Sequence, residues 1–400
     1  MAAEAPWLTI IGIGEDGAQG LSDTARAALE QAHVIMGAQR QLALLPPLNA
    51  EQLGWPVPFE HGIEALLARR GEPTVMLASG DPFWFGAGAS VTRHLSPNEW
   101  VSHPAPSTFS LAASRLGWAL QDVSCHGLHA APLERLRPML APGRRVLVLL
   151  RDGAAVQSLA AYLAGAGFGP STLHIMEALG GPRERIRHAT ADALAFNDIT
   201  HPVAVGVDVS GDGEVMPCAS GLADSWFAHD GQISKRPARA LTLSALAPRP
   251  GETLWDIGAG SGSIAVEWLL SHATTQALAF EADPVRAERA TANARRLGVD
   301  RLLLVEGRAP AVLAGRVRPD AIFIGGGLSD ALMEAILALP GERTRLVANA
   351  VTLESESLLA RWHERLGGEL LRIEMASAAP IGARRGWKAA YPLVQWSVIL

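Results

Sequence analysis

Four hundred residues exceed the span that a single hydrophobic core usually fills, so about two domains are expected. With 48% hydrophobic and 18% charged residues the chain is globular and not disordered, and the low charged fraction fits large buried interfaces, including those of a homo-oligomer. A net charge of −6 gives no overall field that attracts nucleic acid or an anionic membrane, so an acidic ligand has to meet a local arginine cluster.

Residues 1–14 carry no basic region ahead of their apolar run, and that run leads directly into Gly12-Ile13-Gly14, which reads as a first strand and not as a signal peptide. No stretch approaches the roughly 18 apolar residues of a membrane span. Strand-like runs at 8–13, 74–78, 145–150 and 203–209 alternate with helical stretches around 24–31, 109–116 and 154–164. That rhythm predicts α/β layers with mostly parallel sheets. Between 206 and 238 the pattern lapses into glycine, aspartate, serine and proline, which predicts a domain end and a linker.

After Leu241 the alternation restarts, with strands expected at 253–257, 278–281, 302–305, 321–324, 345–349, 370–374 and 393–399. The last two are expected as an antiparallel pair closed by a loop with glycines and arginines. The domains are accordingly set at 1–222, with lobes of about 1–103 and 104–222, and at 223–400. Cys125 and Cys218 have neither CxxC nor His-rich spacing, which argues against a disulfide framework and structural zinc and for a reducing cytoplasm.

The sharpest local signal is Asp256-Ile257-Gly258-Ala259-Gly260-Ser261-Gly262, between a predicted strand and a predicted helix. Glycines there permit a tight turn and close approach of a ligand, and the helix start presents free N–H groups. A dinucleotide turn, G-x-G-x-x-G, would need glycine at 263, where the chain has Ser263. Glu281 ends the next strand, where a carboxylate accepts hydrogen bonds from ribose hydroxyls. Arg308 and Ala309 follow the third strand, and Asp320 and Gly325 to Gly327 flank the fourth at the rim where ligands sit. The bland alternative is a tight connection with Glu281 capping a turn.

This set resembles the S-adenosylmethionine methyltransferases, a class I Rossmann-like fold of seven strands, and within them the carbon-15 methylating and decarboxylating domain of corrin biosynthesis. Ser234, in Ile233-Ser234-Lys235-Arg236, stands where that family has a threonine that contacts the cofactor. In the first half, Gly12-Ile13-Gly14, then Gly80-Asp81-Pro82-Phe83, then Pro106-Ser107-Thr108 are each an ordinary turn or cap. In this order they resemble the two-lobed tetrapyrrole methylase family, over residues 7–209. The resemblance implies cofactor contacts at Gly80, Asp81, Phe83, Ser107, Thr108 and Met176. Glu15 departs from the family, which commonly has proline there, and Pro106 from its second glycine; both variants suit the carbon-5 methylating branch.

Together the resemblances imply two S-adenosyl-L-methionine sites per chain. They further imply methylation of precorrin-6Y at carbons 5 and 15 with loss of the ring-C acetate carboxyl, giving precorrin-8x in cobalamin biosynthesis. The corrinoid carries peripheral acetates and propionates, for which guanidinium groups are suited partners. The candidates are Arg384 and Arg385, in the expected closing loop, ahead of Arg183, Arg185 and Arg187, whose alternation suits an exposed strand. Trp84, Trp255, Trp387 and Trp396 read as core or interface. Two rivals stand: another small-molecule or RNA methyltransferase, and a cofactor-binding regulator without catalysis.

Overall fold

The computed structural model describes residues 6–341 and 343–400. The chain divides into two compact units, one comprising residues up to Leu133 with Met139–Glu214, the other Glu134–Pro138 with Val215–Leu400.

The first unit has two sheets. Strands β1 (Leu8–Ile13), β2 (Val34–Gly37), β3 (Glu51–Gly54), β4 (Thr74–Ser79) and β5 (Trp100–His103) form a parallel sheet in the order β3-β2-β4-β1-β5. Leu8, Ile10, Ile11 and Ile13 of β1 are buried on both faces, as a central parallel strand requires. The second sheet holds β6 (Val123–Gly127), β7 (Arg145–Leu150), β8 (Thr172–Glu177), β9 (Arg185–Thr190) and β10 (Val203–Asp208), in the order β6-β7-β10-β8-β9. Here only β6 and β7 pair in parallel. The expectation of mostly parallel sheets therefore fails in this lobe: residues 178–184 between β8 and β9 hold no helix for a crossover, and the chain turns straight back.

In the second unit β11 (Thr253–Ile257), β12 (Gln276–Glu281), β13 (Leu303–Glu306), β14 (Ala321–Ile324), β15 (Arg345–Ala350), β16 (Glu369–Ile373) and β19 (Leu393–Ile399) make one sheet, ordered β13-β12-β11-β14-β15-β19-β16. Between β16 and β19 the strands β17 (Ala376–Ile381) and β18 (Arg384–Ala389) form a separate antiparallel hairpin, where the sequence predicts only a loop. Helices Arg236–Leu246, Ser263–Ser271 and Pro284–Arg296 cover one face, and Asp330–Ala338 and Leu353–Leu366 the other. The chain runs outward from β11 on one side and from β14 on the other, so the carboxyl ends of this pair form the switch point at which such sheets bind ligands.

Two expectations are corrected. Residues 215–235 have little regular structure but are no free linker: Met216, Leu222, Trp226 and Phe227 are buried in the core of the second unit. Asp320 precedes β14 and accepts a hydrogen bond from Thr253 N at 2.8 Å, at the amino ends of the strands and away from the ligand rim. Among the described residues no helix is long and apolar enough to cross a membrane.

Candidate active sites

In the first unit, the turns after β1, β4 and β5 converge. Gly80 N donates to Ile13 O (3.1 Å) and Ala105 N to Gly80 O (3.2 Å), and a side chain at Gly12 would overlap the Gly80 carbonyl. Ser107 caps the helix Thr108–Leu116, its Oγ accepting from Ser110 N at 3.0 Å. Gly80, Asp81, Ser107, Thr108 and Met176 all line one cavity of about 630 Å³, within the range of small-molecule sites. Met176 enters from β8 and is 1% exposed. Phe83 is not among the lining residues: its ring packs on Trp100 with centroids 5.4 Å apart, and Trp84 and Phe85 line the wall instead.

Glu15 also lines this cavity, its side chain buried. One carboxylate oxygen accepts from Arg40 and the other from Arg183 Nη2 at 3.0 Å. Arg185 and Arg187, by contrast, are spent on Glu177 and Asp198 in a network of four ion pairs. Sequence reading grouped these three arginines; the fold separates Arg183 from the other two.

In the second unit the turn after β11 uses positive φ at Gly258 (71°), Gly260 (58°) and Gly262 (72°). A Cβ at Gly260 would meet only the Gln232 carbonyl, at 3.9 Å, so this glycine serves backbone conformation and fills little of the space beside it. Gly260 N donates to Glu281 Oε2 (2.7 Å), while Ala282 N (2.8 Å) and Asp283 N (3.0 Å) donate to Oε1. An ionised carboxylate has about four acceptor positions, so roughly one stays unused by these three donors. Ala259 N and Gly258 N both donate to Phe280 O, and the Ser261 carbonyl accepts from Asn293 Nδ2. The turn is thus fastened to β12 and to the helix Pro284–Arg296.

Beneath it Asp256 is fully buried. Its Oδ2 accepts from Ala265 N (3.1 Å) and its Oδ1 has no hydrogen-bond partner among the described residues. Burial pushes this carboxyl up to about 7, against the Ala265 N–H and with the help of the Glu281 charge. Ser234 lies half-buried just before the helix Arg236–Leu246, and its carbonyl accepts from Arg239. Ala309 is half-buried and Arg308 exposed; with Pro310, Ala335 and Leu339 they line an apolar recess of about 430 Å³ that includes neither the glycine turn nor Glu281.

Sequence reading missed the support of this site. Arg239, fully buried, donates to Glu267 Oε1 at 2.6 Å and to the Leu222 carbonyl, and Glu267 accepts from Gly221 N and Leu222 N. The signal was present: Arg239 shares the stripe of Thr242, Leu243 and Leu246, at helical spacings of three, four and seven. Of the tryptophans, Trp255 and Trp396 are core as expected, whereas Trp84 lines the first cavity and Trp387 is exposed.

Residues 7–195 match the tetrapyrrole (corrin/porphyrin) methylases and residues 225–400 the precorrin methyltransferase domain. The two matches define a methyltransferase assembled from two different domains. A Sinorhizobium protein named precorrin-6Y C(5,15)-methyltransferase (decarboxylating) is 51% identical over 401 residues, covering 99% of this chain and 97% of the relative. A Mycobacterium tuberculosis protein of the same name is 40% identical, covering 98% and 99%. The chain belongs to this family of decarboxylating precorrin-6Y methyltransferases. The crystal structure of the C-terminal domain of the Rhodobacter capsulatus precorrin-6Y C5,15-methyltransferase is 51% identical and covers 46% of this chain and all of its own, with a TM-score of 0.45. Methyltransferases of this family take S-adenosylmethionine as methyl donor.

Proposed function

We propose that this chain methylates precorrin-6Y at carbons 5 and 15 and removes the ring-C acetate carboxyl, giving precorrin-8x in cobalamin biosynthesis. The first unit acts at carbon 5 and the second at carbon 15, each with its own S-adenosyl-L-methionine. The observation that carries this reading is the presence of two unlike ligand rims in one chain: a cavity lined by Gly80, Asp81 and Ser107, and a glycine turn tied to Glu281.

The donor sets fit the cofactor. In the second unit an open carboxylate position on Glu281 suits a ribose hydroxyl, and the space beside Gly260 admits the nucleoside. Ser234, Arg308 and Ala309 are assigned to the same site, the last two although they line a separate recess, because the adjoining Gly307 N donates to the Glu281 carbonyl at 2.8 Å. In the first, Gly80, Asp81, Ser107, Thr108 and Met176 frame a cavity of nucleoside size, with Phe83 outside its wall. When bound, S-adenosylmethionine supplies an electrophilic methyl on a sulfonium. The chain's residues hold donor and acceptor carbon in line and exclude water. We assign the first domain to residues up to 214 and the second to 215–400, in place of the expected boundary at 222, because Met216 and Leu222 pack in the second core. We assign the protein to the cytoplasm as a homo-oligomer, a reading that rests on its low charged fraction and two scattered cysteines.

The deciding experiment incubates the full chain with precorrin-6Y and isotopically labelled methyl donor and counts methyls and carbon dioxide by mass spectrometry. Two added methyls and one lost carbon dioxide are expected. One methyl only, or methylation without decarboxylation, overturns the assignment. Glu281→Ala in the same assay, at limiting methyl donor, is expected to slow the carbon-15 label and spare the carbon-5 label.

A further inference from the structure

The charged lining of the first-unit cavity consists of Glu15 and Asp81 against Arg40 and Arg151, two charges of each sign. The Glu15 side chain is 7% exposed, and two guanidinium groups lean on that one carboxylate, Arg40 from the lining at 26% and Arg183 from outside it at 60% side-chain exposure. Arg183 thus adds one positive charge that the lining's own carboxylates do not balance. Arg40 gives one further N–H to Ser79 Oγ at 2.9 Å, which leaves it up to three of its five donors; Arg183 spends one on Glu15. Both partners of Glu15 are thus oriented and neither is used up.

We propose that Arg40 and Arg183, aimed by Glu15, form a carboxylate-binding subsite of the first unit that takes a peripheral acid group of the tetrapyrrole. This rests on the function proposed above. A planar fork gives a carboxylate two parallel hydrogen bonds, and here two forks share one buried anchor, so a second carboxylate completes the charge balance. The surroundings agree: burial and the Arg183 charge both pull the Arg40 pKa down, and His201, in the same lining, is lowered by burial and by Arg40 and Arg183. The chemistry is that of a carboxylate, which has two sources, the corrinoid rim and the methionine end of the cofactor. Arg183 reaches the cavity only through Glu15 and is 60% exposed, which leaves its guanidinium open to a ring that extends beyond the lining. Glu15 touches only the arginines and is a positioning residue.

The test uses the full chain with Arg183→Gln, which is safe to fold because its side chain is mostly exposed. The paired Glu15→Gln and Arg40→Gln variant removes anchor and partner together and leaves no lone buried charge. For each, kcat and KM at carbon 5 are read for corrinoid and for S-adenosylmethionine, with carbon-15 methylation as the control within the same chain. Expected is a tenfold or greater rise in corrinoid KM at carbon 5, a smaller change in kcat, an unchanged cofactor KM, and partial recovery in Arg183→Lys. A rise in cofactor KM alone overturns the proposal and gives the carboxylate to the cofactor. Both KM values within twofold of the parent in both variants overturn it. Fluorescence titration with uroporphyrin III, an eight-carboxylate probe, reads the subsite without turnover: weaker binding in both variants is expected, and equal binding overturns the proposal. A parent that adds no methyl at carbon 5 refutes the proposed function instead, and the titration still decides the subsite.

Discussion

Gly260 donates its backbone N–H to Glu281 across 2.7 Å, so the turn after the first strand of the second unit is held by the residue that ends the next strand. The same carboxylate also accepts from Ala282 N and Asp283 N. Glu281 therefore shapes the turn, and under the proposed function it also offers an acceptor to a ribose.

Glu281→Ala strands three N–H donors and removes the acceptor, a loss of about 1–3 kcal/mol in cofactor binding. The KM for S-adenosylmethionine at carbon 15 is expected to rise about tenfold or more, with carbon 5 unaffected. Glu281→Gln, which keeps one acceptor oxygen, should fall between. Equal cofactor KM values for parent and Ala variant would remove Glu281 from the site.

Asp256 makes stability depend on pH with a definite sign. Its carboxyl is raised from 3.8 to about 7 by burial, so between those values the folded chain keeps a proton that the unfolded chain has released. Folding stability from this group is full below pH 4 and is lost as pH rises toward 7. Asp256→Asn preserves shape and cannot ionise, so the parent's urea midpoint should fall relative to the variant between about pH 4 and pH 7 and run parallel to it above. A constant difference across that range refutes a buried, titrating Asp256.

Much of this was legible because some strands are bounded by sharp changes in pattern. The strands Thr253–Ile257, Ala321–Ile324 and Leu393–Ile399 stand where the sequence predicts them. By contrast, Glu51–Gly54 reads Glu-Gln-Leu-Gly with no buried face, and only its neighbour Val34–Gly37 makes it a strand. The glycine turn was readable as a local motif. The Glu15 anchor was not, because Arg40 and Arg183 lie 25 and 168 residues away and only the fold brings them together. Glu15 stood out in the sequence as a departure from proline, a sign without a mechanism until its partners were placed.

Arg239 and Glu267 form a buried pair at 2.6 Å beneath the segment that carries Ser234. Arg239→Met leaves Glu267 buried with only backbone donors and is expected to cost about 3–5 kcal/mol. Arg239→Met with Glu267→Met should cost clearly less, because no lone buried charge remains: Asp224, the other partner of Arg239, is 28% exposed and keeps Lys235. Chemical denaturation of the full chain, following the second unit's transition, compares them; a double variant as unstable as the single one argues against an electrostatic origin.

Arg384 and Arg385 do not form the paired clamp that their adjacency suggests. They are successive residues of β18, opposite Ile381 and Pro380, and successive strand side chains leave on opposite faces. Arg385 shares its face with Trp387, which is 79% exposed, and Arg384 shares the other with Gly386 and Lys388. Neither arginine forms an ion pair among the described residues. The hairpin leaves the sheet between β16 and β19 beside Val394, which pairs with Ala350 at the carboxyl end of β15, so it rises from the rim that holds the glycine turn. A flat indole beside a guanidinium suits a macrocycle with an acidic edge, whereas the Arg384 face offers charge alone. Arg385→Gln is therefore expected to raise the corrinoid KM for carbon-15 methylation about tenfold, near the 1.5–3 kcal/mol of a charged hydrogen bond. Arg384→Gln should stay within about twofold, and carbon-5 methylation should be spared in both. Equal effects of the two single variants would show that the hairpin's faces do not discriminate, and no effect of either would leave both arginines as solvated surface charge.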